Sequence, residues 1–196
     1  MLSIKIDSRY VKDTTIKRIC QGDILRDVDV IESYTKVGST GELKYLTLPY
    51  IIVMTQDCDL ESDFKNRSDI FKSQDKYLRT ILACPAYNAS EFREGHHLDD
   101  IGLKMEHWNS KMFAQIKEQQ HTRFHFLEQD QILQVPDLVV DFKHYYTIPR
   151  DTLFGIYKDN YLVTINQLFR EYLSQRFSNY LSRIGLPELK ERITSA

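Results

Sequence analysis

Apolar and polar positions along this chain switch between two periods, and the switches outline its elements. Tyr50-Ile51-Ile52-Val53-Met54 is an unbroken apolar run, which predicts a strand buried on both faces. It stops abruptly at Thr55-Gln56-Asp57-Cys58-Asp59, which sets a hydroxyl, an amide, two carboxylates and a thiol at the mouth of the strand. Gln21-Gly22-Asp23-Ile24-Leu25 predicts another strand after a glycine turn, continued by Val28 to Ile31. Lys36 to Glu42 carries Gly38, Ser39 and Gly41 and predicts a flexible hairpin loop. Leu43 to Thr47 predicts a short strand, with Pro49 opening the central one. Ser62 to Asp75 is polar and predicts a surface loop or a mobile helix. Leu78 to Cys84 predicts a buried strand stopped by Pro85.

The period then lengthens. Met105, Trp108, Met112 and Ile116 fall at helical spacing, which predicts a helical insertion over about 88–120. Strand character returns at Arg123 to Leu127. Leu138 to Thr147 alternates cleanly, with Leu138, Val140, Phe142, His144 and Tyr146 on one face, and Pro149 ends it. Thr164-Ile165-Asn166-Gln167 fits a capping box. It opens a wide apolar stripe through Leu168, Phe169, Tyr172, Leu173, Phe177, Tyr180 and Leu181, with Gly185 and Pro187 as stop signals. The pattern predicts one α+β domain over 1–196, with strands over about 20–87 and 123–153 and a C-terminal helix over about 164–185, docked on the sheet.

Composition narrows the setting. A chain of 196 residues buries about 70% of its unfolded surface and needs no staples. The net charge of −2 advertises no global basic field, although a local basic face is compatible with it. The three cysteines, Cys20, Cys58 and Cys84, form no CxxC pair, so neither a disulfide framework nor a zinc knuckle is indicated. No apolar stretch approaches a membrane span, and the N-terminus lacks a signal-peptide core. These features point to a cytoplasmic protein with reduced thiols and no cofactor.

Three segments, Gly22-Asp23-Ile24, Pro49 to Thr55 and Thr80 to Pro85, occur in an order that resembles the MazF/PemK-like toxins. The resemblance implies a small SH3-like antiparallel β-barrel carrying the helical insertion and the C-terminal helix. It further implies a homodimer and metal-free cutting of single-stranded RNA. The toxins carry a basic residue just before the proline of their second strand, whereas Lys44-Tyr45-Leu46-Thr47-Leu48 stands here. They carry Thr or Ser after the Ala-Pro of the third strand, whereas Ala86 and Tyr87 follow Pro85 here. Arg79, in the third strand, is the cation that could substitute geometrically. The chain is also similar to larger bacterial proteins with a Ser/Thr-Gln-x-Cys-Asp segment and a terminal Arg-x-Gly-Leu-Pro, matched by Thr55 to Asp59 and Arg183 to Pro187.

Several chemistries are open. Cys58 as a nucleophile needs a histidine or a cation, and Asp57 and Asp59 beside it disfavour a thiolate. His125 or His144 would have to serve it. The bland reading is a small residue packed at a strand end. Asp57 and Asp59 could meet a histidine around a divalent ion, but no HxxH or paired-Cys spacing supports a metal, and both can cap a turn instead. His96-His97 reads as a solvated loop. Arg170, Arg176, Arg183, Lys190 and Arg192 on or after the last helix suggest a nucleic-acid surface, beside which exposed tyrosines can stack bases. Two functions follow. One is a module that binds RNA, DNA or a protein partner, without a membrane, in a bacterial defence or toxin–antitoxin system. The other is a ribonuclease-like toxin with Thr55, Gln56, Asp57, Cys58, Asp59, Arg79 and His144 around its site.

Overall fold

A computed structural model describes residues 8–15, 17–38, 40–67, 71 and 73–183. The elements are β1 (Tyr10–Val11), β2 (Asp23–Val37), β3 (Thr40–Val53), α1 (Asp57–Asn66), β4 (Thr80–Asn88), α2 (Ala89–Glu94), a 3-10 turn (Asp99–Ile101), α3 (Ser110–Lys117), β5 (Phe124–Leu127), β6 (Leu138–Asp141), β7 (Tyr146–Pro149), α4 (Arg150–Asn160), β8 (Tyr161–Ile165) and α5 (Gln167–Leu181). The fold is α+β. Its antiparallel sheet runs β1-β8-β2-β3-β4-β6-β5, and β7 pairs with the free half of β4.

Ile51, Ile52 and Val53 are fully buried, as the apolar run predicts. Alternation sends them to opposite faces. Ile52 and Met54 join a core with Cys84, Val140, Phe142, Val163, Leu173 and Phe177, which α5 covers. Ile51 and Val53 join Leu25, Leu48, Ile81, Leu60 of α1 and Leu153 of α4. A third cluster, with Phe92, Trp108, Phe113, Ile116 and Phe126, packs α2 and α3 against the far end of the sheet. Gly22 makes the turn into β2 at φ +83°, and its N–H donates to the Val53 carbonyl while its carbonyl accepts from Ile165. A side chain there would be strained by φ and would meet Arg170 at 3.0 Å.

The structure corrects several boundaries. β3 runs unbroken through Pro49, because β4 pairs with it only from Tyr50 onward and the missing N–H faces an open edge. The predicted Lys36 to Glu42 loop shrinks to a tight turn, since Lys36 pairs with Gly41 and Val37 with Thr40. Asp57-Cys58-Asp59 is not a strand-end loop but the first turn of α1, which runs on to Asn66 and makes the first part of the 62–75 segment, expected as a loop or a helix, helical. The predicted strand over Leu138 to Thr147 is two strands. Asp141 accepts hydrogen bonds from Lys143 N–H and from the Arg123 fork, and this bends the chain out between β6 and β7. The insertion holds two short helices, and Met105 and Trp108 precede α3 rather than lie on it. Asn166, not Thr164, caps α5, because the Thr164 hydroxyl donates to Asp23 instead. Sequence reading missed α4 and ran strand through to 153. Gly185, Pro187, Lys190 and Arg192 lie outside the described residues.

Candidate functional site

The predicted edge begins where β3 ends. The Met54 and Thr55 N–H groups both reach the Leu82 carbonyl, and the Thr55 hydroxyl accepts from Leu82 N–H at 2.7 Å. Thr55 thus closes the ladder, and the chain turns into α1 with Gln56 at the N-cap. Asp57 and Asp59 suit the positive end of the helix. The Asp57 carboxylate takes both arms of Arg18, at 3.0 and 2.9 Å, and the Gln21 N–H at 3.1 Å. The Arg18 fork holds its carboxyl below the usual carboxylate range. Asp57 therefore ties the segment before β2 to α1, with both oxygens committed.

Cys58 is exposed, and its sulfur lies 3.7 Å from Gln56 Oε1 and 3.9 Å from Asp59 Oδ1. Both neighbours are acceptors, and neither is a cation or a histidine. Thr55, Gln56 and Asp59 share a cleft of about 460 Å³ with Gln21, Ser174 and Phe177. Among the described residues, no lysine or arginine lines it. Arg79 sits at the start of β4, three residues from Leu82, roughly 10 Å along the strand. His144 occupies the β6–β7 turn, with Nδ1 3.0 Å from Asp141. The structure thus brings Thr55, Gln56 and Asp59 together, holds Asp57 in an ion pair, and leaves Arg79 and His144 out of the cleft.

Two other buried carboxylates show what a partner's charge does. Burial would raise the Asp141 carboxyl, but the Arg123 fork and His144 bring it down to about 2. Asp23 is equally buried and receives only neutral donors: Thr164 at 2.6 Å, Tyr157 at 2.8 Å and the Cys20 N–H at 2.6 Å. Burial wins there, and its carboxyl rises to about 6. In the His96-His97 loop, His96 is solvated beside Asp99, whereas His97 packs against the Tyr87 and Phe92 rings. That burial lowers the His97 imidazole to about 4.

A different chemistry occupies the other flank of α5. A cleft of about 190 Å³ lies between β5 and α5, lined by Arg9, Lys117, Gln119, His125, Phe126, Leu127, Glu128, Phe169 and Tyr172. Cations sit over aromatic rings around it. Arg9 lies 5.0 Å from the Phe169 centroid and Lys117 5.2 Å from Phe126, while farther along α5 Arg176 lies 5.7 Å from Tyr172 and Arg183 5.3 Å from Tyr180. Arg9 also pairs with Glu128 at 2.8 Å. His125 is 4% exposed, and its Nδ1 has no hydrogen-bond partner among the described residues. Burial, then Arg176 and Arg9, lower its imidazole to about 3, so it is neutral at physiological pH.

Of the arginines singled out on the last helix, Arg176 clamps the carbonyls of Gln119, His121 and Phe124, and Arg170 reaches the Gln21 carbonyl. They anchor α5 rather than form a stripe. Arg9 and Lys117 escaped notice because they are distant in sequence and meet only through β5. Among the described residues no group of three or more His, Cys, Asp or Glu is placed to hold a metal, and no helix is long and apolar enough to cross a membrane. No protein-family model, curated protein or solved structure matches the chain.

Proposed function

We propose that this protein is a divergent MazF/PemK-like module that binds single-stranded nucleic acid and does not cut it. The three strands that carry the resemblance supply adjacent members of the sheet, β2, β3 and β4 in that order, which supports an SH3-like barrel origin. One observation carries the functional reading: cations stacked on aromatic rings line the β5–α5 flank. A polyanion with flat bases complements that pairing, because phosphates meet Arg and Lys while bases meet rings. The absence of cutting follows from the other flank. Cleavage needs a base for the 2′-hydroxyl and a cation for the developing phosphorane charge. The cleft at Thr55, Gln56 and Asp59 offers a carboxylate, and among the described residues no lysine or arginine lines it.

The test is binding of a fluorescein-labelled mixed-sequence RNA followed by anisotropy across salt, with the recovered RNA sized on a denaturing gel. Engagement of about three phosphates, by Arg9, Lys117 and Arg183, gives a slope of log K against log salt of roughly −2. Full-length RNA is recovered. Salt-independent binding, or no binding at low salt, contradicts the reading. The competing reading is a ribonuclease-like toxin using Gln56, Asp57, Cys58 and Asp59. It draws on the shared cleft of Gln56 and Asp59, and shortened RNA would establish it.

A further inference from the structure

The cleft between β5 and α5 has the form of a subsite rather than of a stretch of charged surface. Its volume of about 190 Å³ equals that of about six waters at roughly 30 Å³ each, below the ~300 Å³ at which pockets for whole ligands begin. It admits one flat ring. Phe169 and Tyr172 are its aromatic walls on the sheet face that His125 shares, Phe126 borders it from the cluster on the other face, and Arg9 and Lys117 are its cations. The polar feature of its interior is His125, which stands on β5 opposite Val140 and contacts the Tyr172 ring at 5.8 Å. A neutral imidazole carries one donor and one acceptor. Gln119 offers no alternative, because its amide is already bonded to the Phe126 N–H and carbonyl. A buried polar nitrogen without a partner is uncommon in folded proteins and calls for an account.

We infer that this cleft takes a single nucleotide, with the base inside against the aromatic walls and His125, and the phosphate at Arg9 and Lys117. The inference rests on the nucleic-acid reading above and sharpens it from a surface to a place. The His125 Nδ1 is shielded from solvent, so a ligand meets this imidazole at the edge that lines the cleft. The edge of a nucleobase supplies donors and acceptors that match either tautomer. Glu128 is the acidic neighbour that holds Arg9 now, and at 65% side-chain exposure it is free to yield to a phosphate. The same chemistry is presented by a nucleotide within a strand and by a free nucleoside monophosphate.

The experiment uses the full chain and three probes: a labelled RNA octamer, the same ribose-phosphate strand without bases, and 2-aminopurine riboside monophosphate. The intact strand binds about tenfold more tightly than the abasic one, from one base stacked and hydrogen-bonded. In His125→Leu and in Tyr172→Leu that ratio falls to near one. Far-UV circular dichroism of both variants stays as in the parent, and Tyr172, already 44% exposed, is the variant that least disturbs packing. Glu128→Gln binds the intact strand about threefold more tightly. Quenching of the free 2-aminopurine nucleotide assigns the site to mononucleotides, and quenching only within a strand assigns it to chains. Equal binding of intact and abasic strands overturns the inference while leaving the surface reading in place. Failure of every probe to bind at low salt overturns both.

Discussion

The two flanks of α5 carry opposite chemistry. On one, Ser174 and Phe177 face Thr55, Gln56 and Asp59 across a polar cleft that no lysine or arginine lines among the described residues. On the other, Phe169 and Tyr172 face Arg9, Lys117 and a buried histidine whose Nδ1 has no partner among the described residues. The first flank holds the residues that look reactive in the sequence, and the key carboxylate there is already satisfied by Arg18 and a backbone N–H. The second holds residues that look ordinary in the sequence and are left with unused bonding capacity. Reactive residue types mark where chemistry is possible.

The largest test reverses the second flank. Arg9→Glu with Lys117→Glu lowers RNA affinity by about two orders of magnitude at low salt, measured by anisotropy, because two attractive phosphate contacts become repulsive. Asp59→Lys on the first flank leaves affinity within about threefold, and a drop as large as the double reversal would erase the distinction. Next is Asp57→Ala. It frees Arg18 and the Gln21 N–H and destabilises the fold by about 1–2 kcal/mol in urea, the charge-assisted bonds being discounted for partial exposure. RNA affinity is unchanged by it.

The contrast between charged and neutral partners extends to pH. Asp141, held at about 2, contributes stability that is present above its unfolded value near 4 and lost as pH falls through 2. Asp23, raised to about 6, binds a proton more readily when folded, so its contribution falls as pH rises from about 4 through 6. Asp23→Asn removes the second slope from urea midpoints measured between pH 2 and 7, and retains the first. RNA affinity stays flat between pH 8 and 6, because the His125 imidazole titrates far lower. The smallest effect is Cys58→Ala, within about 0.5 kcal/mol in stability and without effect on binding.

The central strand was legible because Ile51 to Val53 has neighbours on both faces, and an unbroken apolar run records that directly. The register of α1 was hidden because Asp57, Cys58 and Asp59 are poor interior helix residues. Their place in the first turn, where carboxylates suit the helix end, was the available signal. α4 was masked by Gly155 and by its Asp and Asn residues. The alternation over 138–147 predicted one strand because period alone is blind to Asp141 drawing the chain out toward Arg123. The β5–α5 cleft was illegible for a stronger reason. Arg9, Lys117, His125 and Tyr172 come from four separate segments, and only the tertiary fold joins them.

The most direct measurement pairs a native gel with a denaturing gel on one mixed single-stranded RNA, using the parent, Lys117→Glu and Cys58→Ala. The account predicts a shifted, full-length RNA with the parent and Cys58→Ala, and a much weaker shift with Lys117→Glu. Shortened RNA that disappears with Cys58→Ala, or a shift indifferent to Lys117→Glu, would contradict it.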